Sequence, residues 1–314
     1  MKYKKSSYLL FLLMLLSTAN IFAQPGQRIL AVIAHPDDES IFSVTLYKLA
    51  KEQHATLDLF VITNGEAGYK YSTLAEQYYG CKLTTAADAK KRLPTIRKKE
   101  LHEGGKVIGI SNYYFADQSD SHYTLNEREP LDTSWQVIKV RKQLHELLLH
   151  NHYNEVFCIL PEAETHGGHK AATLLALDEV AALPADNRPL IFGAALHDKG
   201  DTARKFSALK GYSLTKTTSS LPSFVVDRTV SFSYLNRINY KIIANWELAA
   251  HKSQGATQMT MNDGDLEEFW SFNINTVNKK DEADSLFAKL NQSPYKTDEP
   301  KLVNPALALQ LQQK

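Results

Sequence analysis

Ile29-Leu30-Ala31-Val32-Ile33-Ala34-His35-Pro36-Asp37-Asp38-Glu39 is the stretch that decides the fold. Its apolar run reads as a buried strand, and a polar turn follows at once. In open α/β sheets ligands sit beyond the carboxyl ends of the strands, which is where His35 and the three acids fall. Adjacent carboxylates repel one another and are costly to bury unpaired, so a solvated turn or a bound cation is the remedy. Acids capping a helix that starts near Ser40 would suit the helix dipole, but that leaves the histidine unexplained. Imidazole is a common metal ligand, and Pro36 fixes φ so that His35 and the acids share one tight turn.

The same grammar recurs at Val156-Phe157-Cys158-Ile159-Leu160, followed by Pro161-Glu162-Ala163-Glu164-Thr165-His166-Gly167-Gly168-His169. Strong helix formers from Lys170 to Leu177 place His169 in a first helical turn and His166 just outside it. Three residues apart, the two rings lie on one side. A His-x-x-His pair is a weak signal in a chain with 11 histidines. Position strengthens it: both clusters occupy strand-to-helix turns, which in a parallel sheet share one edge. Two histidines and one carboxylate can then meet at a single ion.

Outward from these turns the pattern alternates. Strands are expected over 29–34, 56–63, 112–116, 155–160, 189–196 and 223–227, and helices over 39–51, 95–108, 134–151, 168–182 and 239–252. Such alternation predicts an α/β protein, a Rossmann-like three-layer sandwich with a mostly parallel sheet and a metal site at the carboxyl ends of its strands. Residues 66–94 interrupt the pattern. A long loop at a strand's carboxyl end is often a functional lid, and its Tyr69, Tyr71, Tyr78 and Tyr79 would either stack on a sugar or pack. Asp117, ending the strand after Asn112, is a candidate to accept a hydrogen bond from a sugar hydroxyl. Residues 255–314 read as a C-terminal extension packing on the body through Phe269 and Trp270.

With 314 residues, 43% hydrophobic and 23% charged, the chain has the composition of an ordinary globular protein. Lys2, Lys4 and Lys5 precede an apolar stretch from Tyr8 to Leu16, and small residues surround Ala23, so residues 1–23 read as a secretory signal peptide. The stretch is shorter than the ~20 residues of a membrane span. An exported protein, periplasmic or extracellular, with no stable membrane span after cleavage is the expectation. Cleavage would remove three lysines and no acids, turning a net charge of +1 slightly negative. Nucleic acid is therefore not an expected partner. Cys81 and Cys158 form no Cys-x-x-Cys motif, so no thiolate zinc site is indicated, while a bridge between them stays open.

Four places, in this order, carry a resemblance: Ala34 to Glu39, Arg97-Lys98-Lys99-Glu100 running into Val107-Ile108-Gly109-Ile110, His166 to His169, and Ala250-His251-Lys252-Ser253-Gln254. Over residues 28–254 the chain resembles the PIG-L/LmbE-like family of zinc-dependent de-N-acetylases, related to N-acetylglucosaminyl-phosphatidylinositol de-N-acetylase. The resemblance implies a catalytic domain over 24–254 that releases acetate from an N-acetylated amino sugar, of N-acetylglucosamine type, or its conjugate. It implies that His35, Asp38 and His169 bind Zn2+ and that Asp37 is the general base. His166 would stabilise the oxyanion or protonate the leaving amine, and Arg97 would orient Asp37 or bind substrate. Gly168 stands where many relatives carry an aspartate. Elementary chemistry agrees with this division, because catalytic zinc takes three protein ligands and keeps one position for water.

Two other classes compete. Two histidines and one carboxylate also make the facial set of non-haem iron oxygenases, but the alternating helices speak against the all-β barrel in which that set usually sits. A secreted carbohydrate-binding protein without turnover would have little use for a base at Asp37 beside His166. The sequence carries no sign of oligomeric state.

Overall fold

The computed structural model describes residues 26–120, 122–275 and 279–297. The expected signal peptide, and residues 298–314 of the expected extension, lie outside the described residues. A seven-stranded sheet forms the centre, built from β1 (Arg28–Ile33), β2 (Thr56–Thr63), β3 (Asn112–Gln118), β4 (Glu155–Ile159), β5 (Leu190–His197), β6 (Phe224–Asp227) and β9 (Leu266–Ser271). Two short strands, β7 (Ser231–Phe232) and β8 (Ile238–Asn239), pair separately. The sheet order is β3-β2-β1-β4-β5-β9-β6. The first five strands are parallel, and β9 runs antiparallel to both β5 and β6.

The period of two along β1 makes the layers. Ile29, Ala31 and Ile33 join a core with Leu101, Ile108, Ala244 and Phe287, whereas Leu30 and Val32 join another with Val140, Leu144, Leu175 and Val180. Helices Ala86–Ile108, Lys241–Leu248 and Lys280–Leu290 thus cover one face, and Val137–Asn151 and Gly167–Ala182 the other. Both faces being covered, the strands are continuous apolar runs rather than alternating ones. From β1 the chain winds outward through β2 to β3, and from β4 it winds the other way to β5. The neighbours β1 and β4 therefore mark the switch point, where open α/β sheets bind ligands.

Several expected boundaries move, each for a physical reason. The helix expected to start after Pro94 begins at Ala86 and contains the proline, its N-terminus capped by Thr85 Oγ1 accepting from the Asp88 N–H. Ala89 and Leu93 hold that added turn by packing with Ala75 and Leu83. Residues 66–94 are consequently no open lid: they contain a 3-10 turn (Glu66–Tyr71), a helix (Thr73–Tyr79) and the start of the long helix. The regular helix expected over 39–51 is broken into a 3-10 turn (Asp38–Phe42), an α turn (Ser43–Tyr47) and a π turn (Lys48–Glu52). Glu267 supplies its cap from across the molecule, accepting from the N–H groups of Val44 and Thr45 at 2.8 Å each.

A division after residue 254 does not separate a surface extension from the body. Strand β9 lies inside the sheet, with Phe269 and Trp270 fully buried. Its acids hid it from a hydropathy reading: Glu267 is buried against Arg228 at 2.8 Å. Both cysteines are free, Cys158 in the core. Among the described residues, no helix is long and apolar enough to cross a membrane.

Candidate active site

At the end of β1 the chain turns sharply, and Asp38 closes the turn on itself. Its Oδ2 accepts from the backbone N–H groups of Ala34 at 3.0 Å and His35 at 2.8 Å. The same carboxylate reaches His35 Nδ1 at 3.4 Å and, through Oδ1, His169 Nε2 at 3.0 Å. The His35 and His169 ring centroids are 5.1 Å apart, and His166 stands 5.0 Å from the first and 5.3 Å from the second. One ligand atom from each of the three imidazoles lies within 4.8 Å of the others.

The donor set fits a metal ion. Ligands bonded at about 2 Å to one ion lie within about 4 Å of each other, and Asp38 satisfies this with both His35 and His169. The local field has the right sign as well. Burial disfavours charge on His35, yet Asp38 and Asp120 outweigh it and push the imidazole up to about 9. Burial likewise works against a charged Asp38, and the facing His169 and His35 overcome it, holding the carboxyl well below its ordinary range. Positive charge is favoured between these groups. His166 differs: burial, then the charges of His35 and His169, lower it to about 4, so it is a neutral imidazole. Among the described residues its buried Nδ1 has no hydrogen-bond partner, and Tyr123 stacks on its ring at 5.0 Å.

Asp37 points the other way. Its backbone has φ 149°, which costs a residue with a side chain on the order of 1–3 kcal/mol and persists only where the surroundings impose it. Arg97 Nη2 donates to Asp37 Oδ1 at 2.6 Å and to the Pro36 carbonyl at 2.7 Å, while Nη1 donates to the Gly65 carbonyl. Gly65 has φ 65°, and a Cβ there would collide with that guanidinium. Of the two roles expected for Arg97, these bonds supply the orientation of Asp37, and the side chain also lines the cleft. Gly168 is constrained too, since a Cβ would come within 3.0 Å of His166 Nδ1 and 3.2 Å of His35 Cε1. A side chain at Gly168 would require those two rings to give by a few tenths of an ångström.

Asp117 is not brought to the site. At φ 54° it sits inside β3 where the pairing with β2 slips, and it pairs with Lys98 on the surface. Its place is taken by Asp120, whose Oδ2 stands 3.8 Å from His35 Nε2. Thr257, also absent from the sequence reading, donates its hydroxyl to Asp37 Oδ2 at 2.6 Å. Asp120 comes from an irregular segment and Thr257 from a four-residue helix (Gly255–Gln258), both too short for periodicity to mark them. His251, within a recognised motif, had no role assigned. It lies fully buried, its Nε2 3.0 Å from Glu39 and 2.9 Å from Glu247. Those are hydrogen-bond distances, in a fully buried group whose ligand atoms lie within 4.8 Å of one another.

Two lobes of one cleft meet at Asp37, Asp38, His169 and Thr257. The smaller, about 270 Å³, is walled by His35, Asp120, His166 and the exposed rims Tyr71 and Tyr123. The larger, about 500 Å³, runs toward His197, Asp198 and Arg204. Of the four tyrosines expected near the site, Tyr71 alone lines the cleft, while Tyr69 and Tyr79 pack beside Leu83.

The fold and these turns define a doubly wound α/β protein with a histidine-aspartate site at the switch point of its sheet. Residues 30–180 match the family model PIG-L, GlcNAc-PI de-N-acetylase. Similar solved structures include N,N'-diacetylchitobiose deacetylase from Pyrococcus horikoshii, 16% identical, covering 87% of this chain and 93% of its own, with a TM-score of 0.46. The A40926 pseudoaglycone deacetylase Dbv21 is 16% identical over 80% of this chain and 99% of its own, with a TM-score of 0.44. The 4-carboxy-2-hydroxymuconate hydratase GalB from Pseudomonas putida KT2440 is 13% identical over 78% and 95%, with a TM-score of 0.45. No curated protein sequence matches the chain.

Proposed function

We propose that the protein is a zinc-dependent deacetylase that hydrolyses the amide of an N-acetylated amino sugar, of N-acetylglucosamine type, or its conjugate. Amide hydrolysis by a de-N-acetylase is the chemistry of the family matched over residues 30–180. The observation that carries the reading is Asp38, one carboxylate within 3.4 Å of His35 and 3.0 Å of His169. His35, Asp38 and His169 would hold Zn2+, which when bound acidifies a water and polarises the amide carbonyl.

The remaining work falls to the chain's own groups. Asp37, clamped on both oxygens by Arg97 and Thr257, is placed to take a proton from the attacking water. That proton leaves with the amine, so the products are acetate and a free amino sugar. His166, neutral in the resting site, lines the cleft and can donate an N–H hydrogen bond to the developing oxyanion; it acts on the leaving nitrogen only by relaying the proton that Asp37 took from the water. Tyr71 and Tyr123 at the rim offer aromatic faces to a sugar ring. Export to the periplasm or the extracellular space belongs to the same reading and rests on residues 1–23.

The decisive assay is acetate release from a panel of N-acetylglucosamine conjugates, with and without a chelator. Release that a chelator stops and added zinc restores supports the proposal. Turnover unaffected by metal removal would sink it.

A further inference from the structure

We infer that the segment from Glu247 to Thr257 is a positioning strap for Asp37, with His251 and Thr257 as positioning residues; this rests on the reading of Asp37 as the general base. The strap reaches Asp37 twice. Thr257 donates its hydroxyl to Asp37 Oδ2 at 2.6 Å, on the oxygen opposite the one held by Arg97. His251, paired with Glu247 at 2.9 Å, meets Glu39 Oε1 at 3.0 Å, and Glu39 Oε2 accepts the Asp37 backbone N–H at 3.1 Å. One contact fixes the plane of the carboxylate and the other fixes the strained backbone that aims it.

Between these two contacts the strap is fastened to the helix that supplies Arg97. Glu100, one turn further along Ala86–Ile108, accepts from the Ser253 N–H at 2.8 Å and from its hydroxyl at 2.6 Å. Ser72 adds a bond to the Ser253 carbonyl at 2.8 Å. Glu100, Ser253, His251 and Glu39 are all fully buried, so water does not compete for these bonds. Arg97 and the strap therefore act as two jaws carried by one helix. An Asp37 held by one jaw loses its orientation, and misplacement of a reacting group by about 1 Å can cost on the order of 10²-fold in rate.

The test compares Thr257→Val, which keeps the shape and removes the hydroxyl, with Thr257→Ser, which keeps the hydroxyl. Acetate release gives kcat and KM separately, and metal content is measured on each purified protein. The strap predicts a kcat at least about fivefold lower for Thr257→Val, with KM and bound metal unchanged, and recovery of most of the loss in Thr257→Ser. His251→Gln, if it folds, should show the same kcat-only loss. A smaller fall in kcat, a loss expressed in KM, a loss of metal, or a serine variant as poor as the valine overturns the strap while wild-type deacetylation stands. Absence of acetate release from the wild type overturns the base assignment and the strap together.

Discussion

Asp38 Oδ1 stands 3.0 Å from His169 Nε2, although one residue ends the turn after β1 and the other opens the helix after β4. A single acid thus joins the two turns that flank the switch point. Removing His169 should leave Asp38 and His35 as a two-ligand remnant. We expect His169→Ala to be purified without stoichiometric metal and without turnover, and metal analysis by mass spectrometry checks this. A variant that kept one tightly bound zinc per chain would show that His169 is not a ligand.

Asp37→Asn separates the base from the ligands. The amide keeps the shape and can still meet Thr257, but it cannot take a proton. Positioned general bases contribute about 10²–10⁴-fold, so kcat should fall by that order while metal content stays at the wild-type level. Near-normal turnover in this variant would remove Asp37 from the mechanism.

Why these two turns were legible, and others not, follows from where the information lies. Ile29 to Glu39 and Val156 to His169 each state strand, turn and chemistry within a few consecutive residues, and buried parallel strands declare themselves as apolar runs. The three-layer sandwich and the meeting of His35, Asp38 and His169 are visible in that local pattern. Thr257 and Asp120 carry no such pattern, because their contacts with Asp37 and His35 are made only by tertiary folding. Strand β9 was hidden by Glu267, an acid that reads as exposed until Arg228 is placed beside it. Pro94 misled in the opposite sense, since a proline stops a helix unless packing such as that of Ala89 and Leu93 holds the turn before it.

Asp117 and Asp120 make a matched pair for testing that distinction. Asp117 is half exposed, paired with Lys98 on the surface, and outside the cleft. Replacing it with alanine should leave kcat/KM within about twofold and stability within ~0.5 kcal/mol. Asp120 faces His35 Nε2 at 3.8 Å and lines the cleft. Groups that support metal-binding histidines typically cost 10–100-fold when removed, so Asp120→Asn should lower activity by about that factor. Steady-state kinetics on both variants decides, and equal effects would place the substrate contact back at Asp117.

Glu155, at the first residue of β4 and far along the strand from the reacting groups, should set part of the pH dependence of folding. It is buried, and burial pushes its carboxyl from 4.5 up to about 7, against the opposing hydrogen bond from Gln27 at 3.0 Å. The folded chain therefore holds a proton that the unfolded chain has released between those values. The stability tied to that proton is fully present below about 4.5 and is lost as pH rises through about 7. Glu155→Gln fixes the neutral state and can keep the bond from Gln27. Unfolding by urea should show the variant close to wild type near pH 5 and more stable near pH 8 by up to about 3 kcal/mol. A difference between the two proteins that does not change with pH would mean that Glu155 is ionised in the folded state throughout.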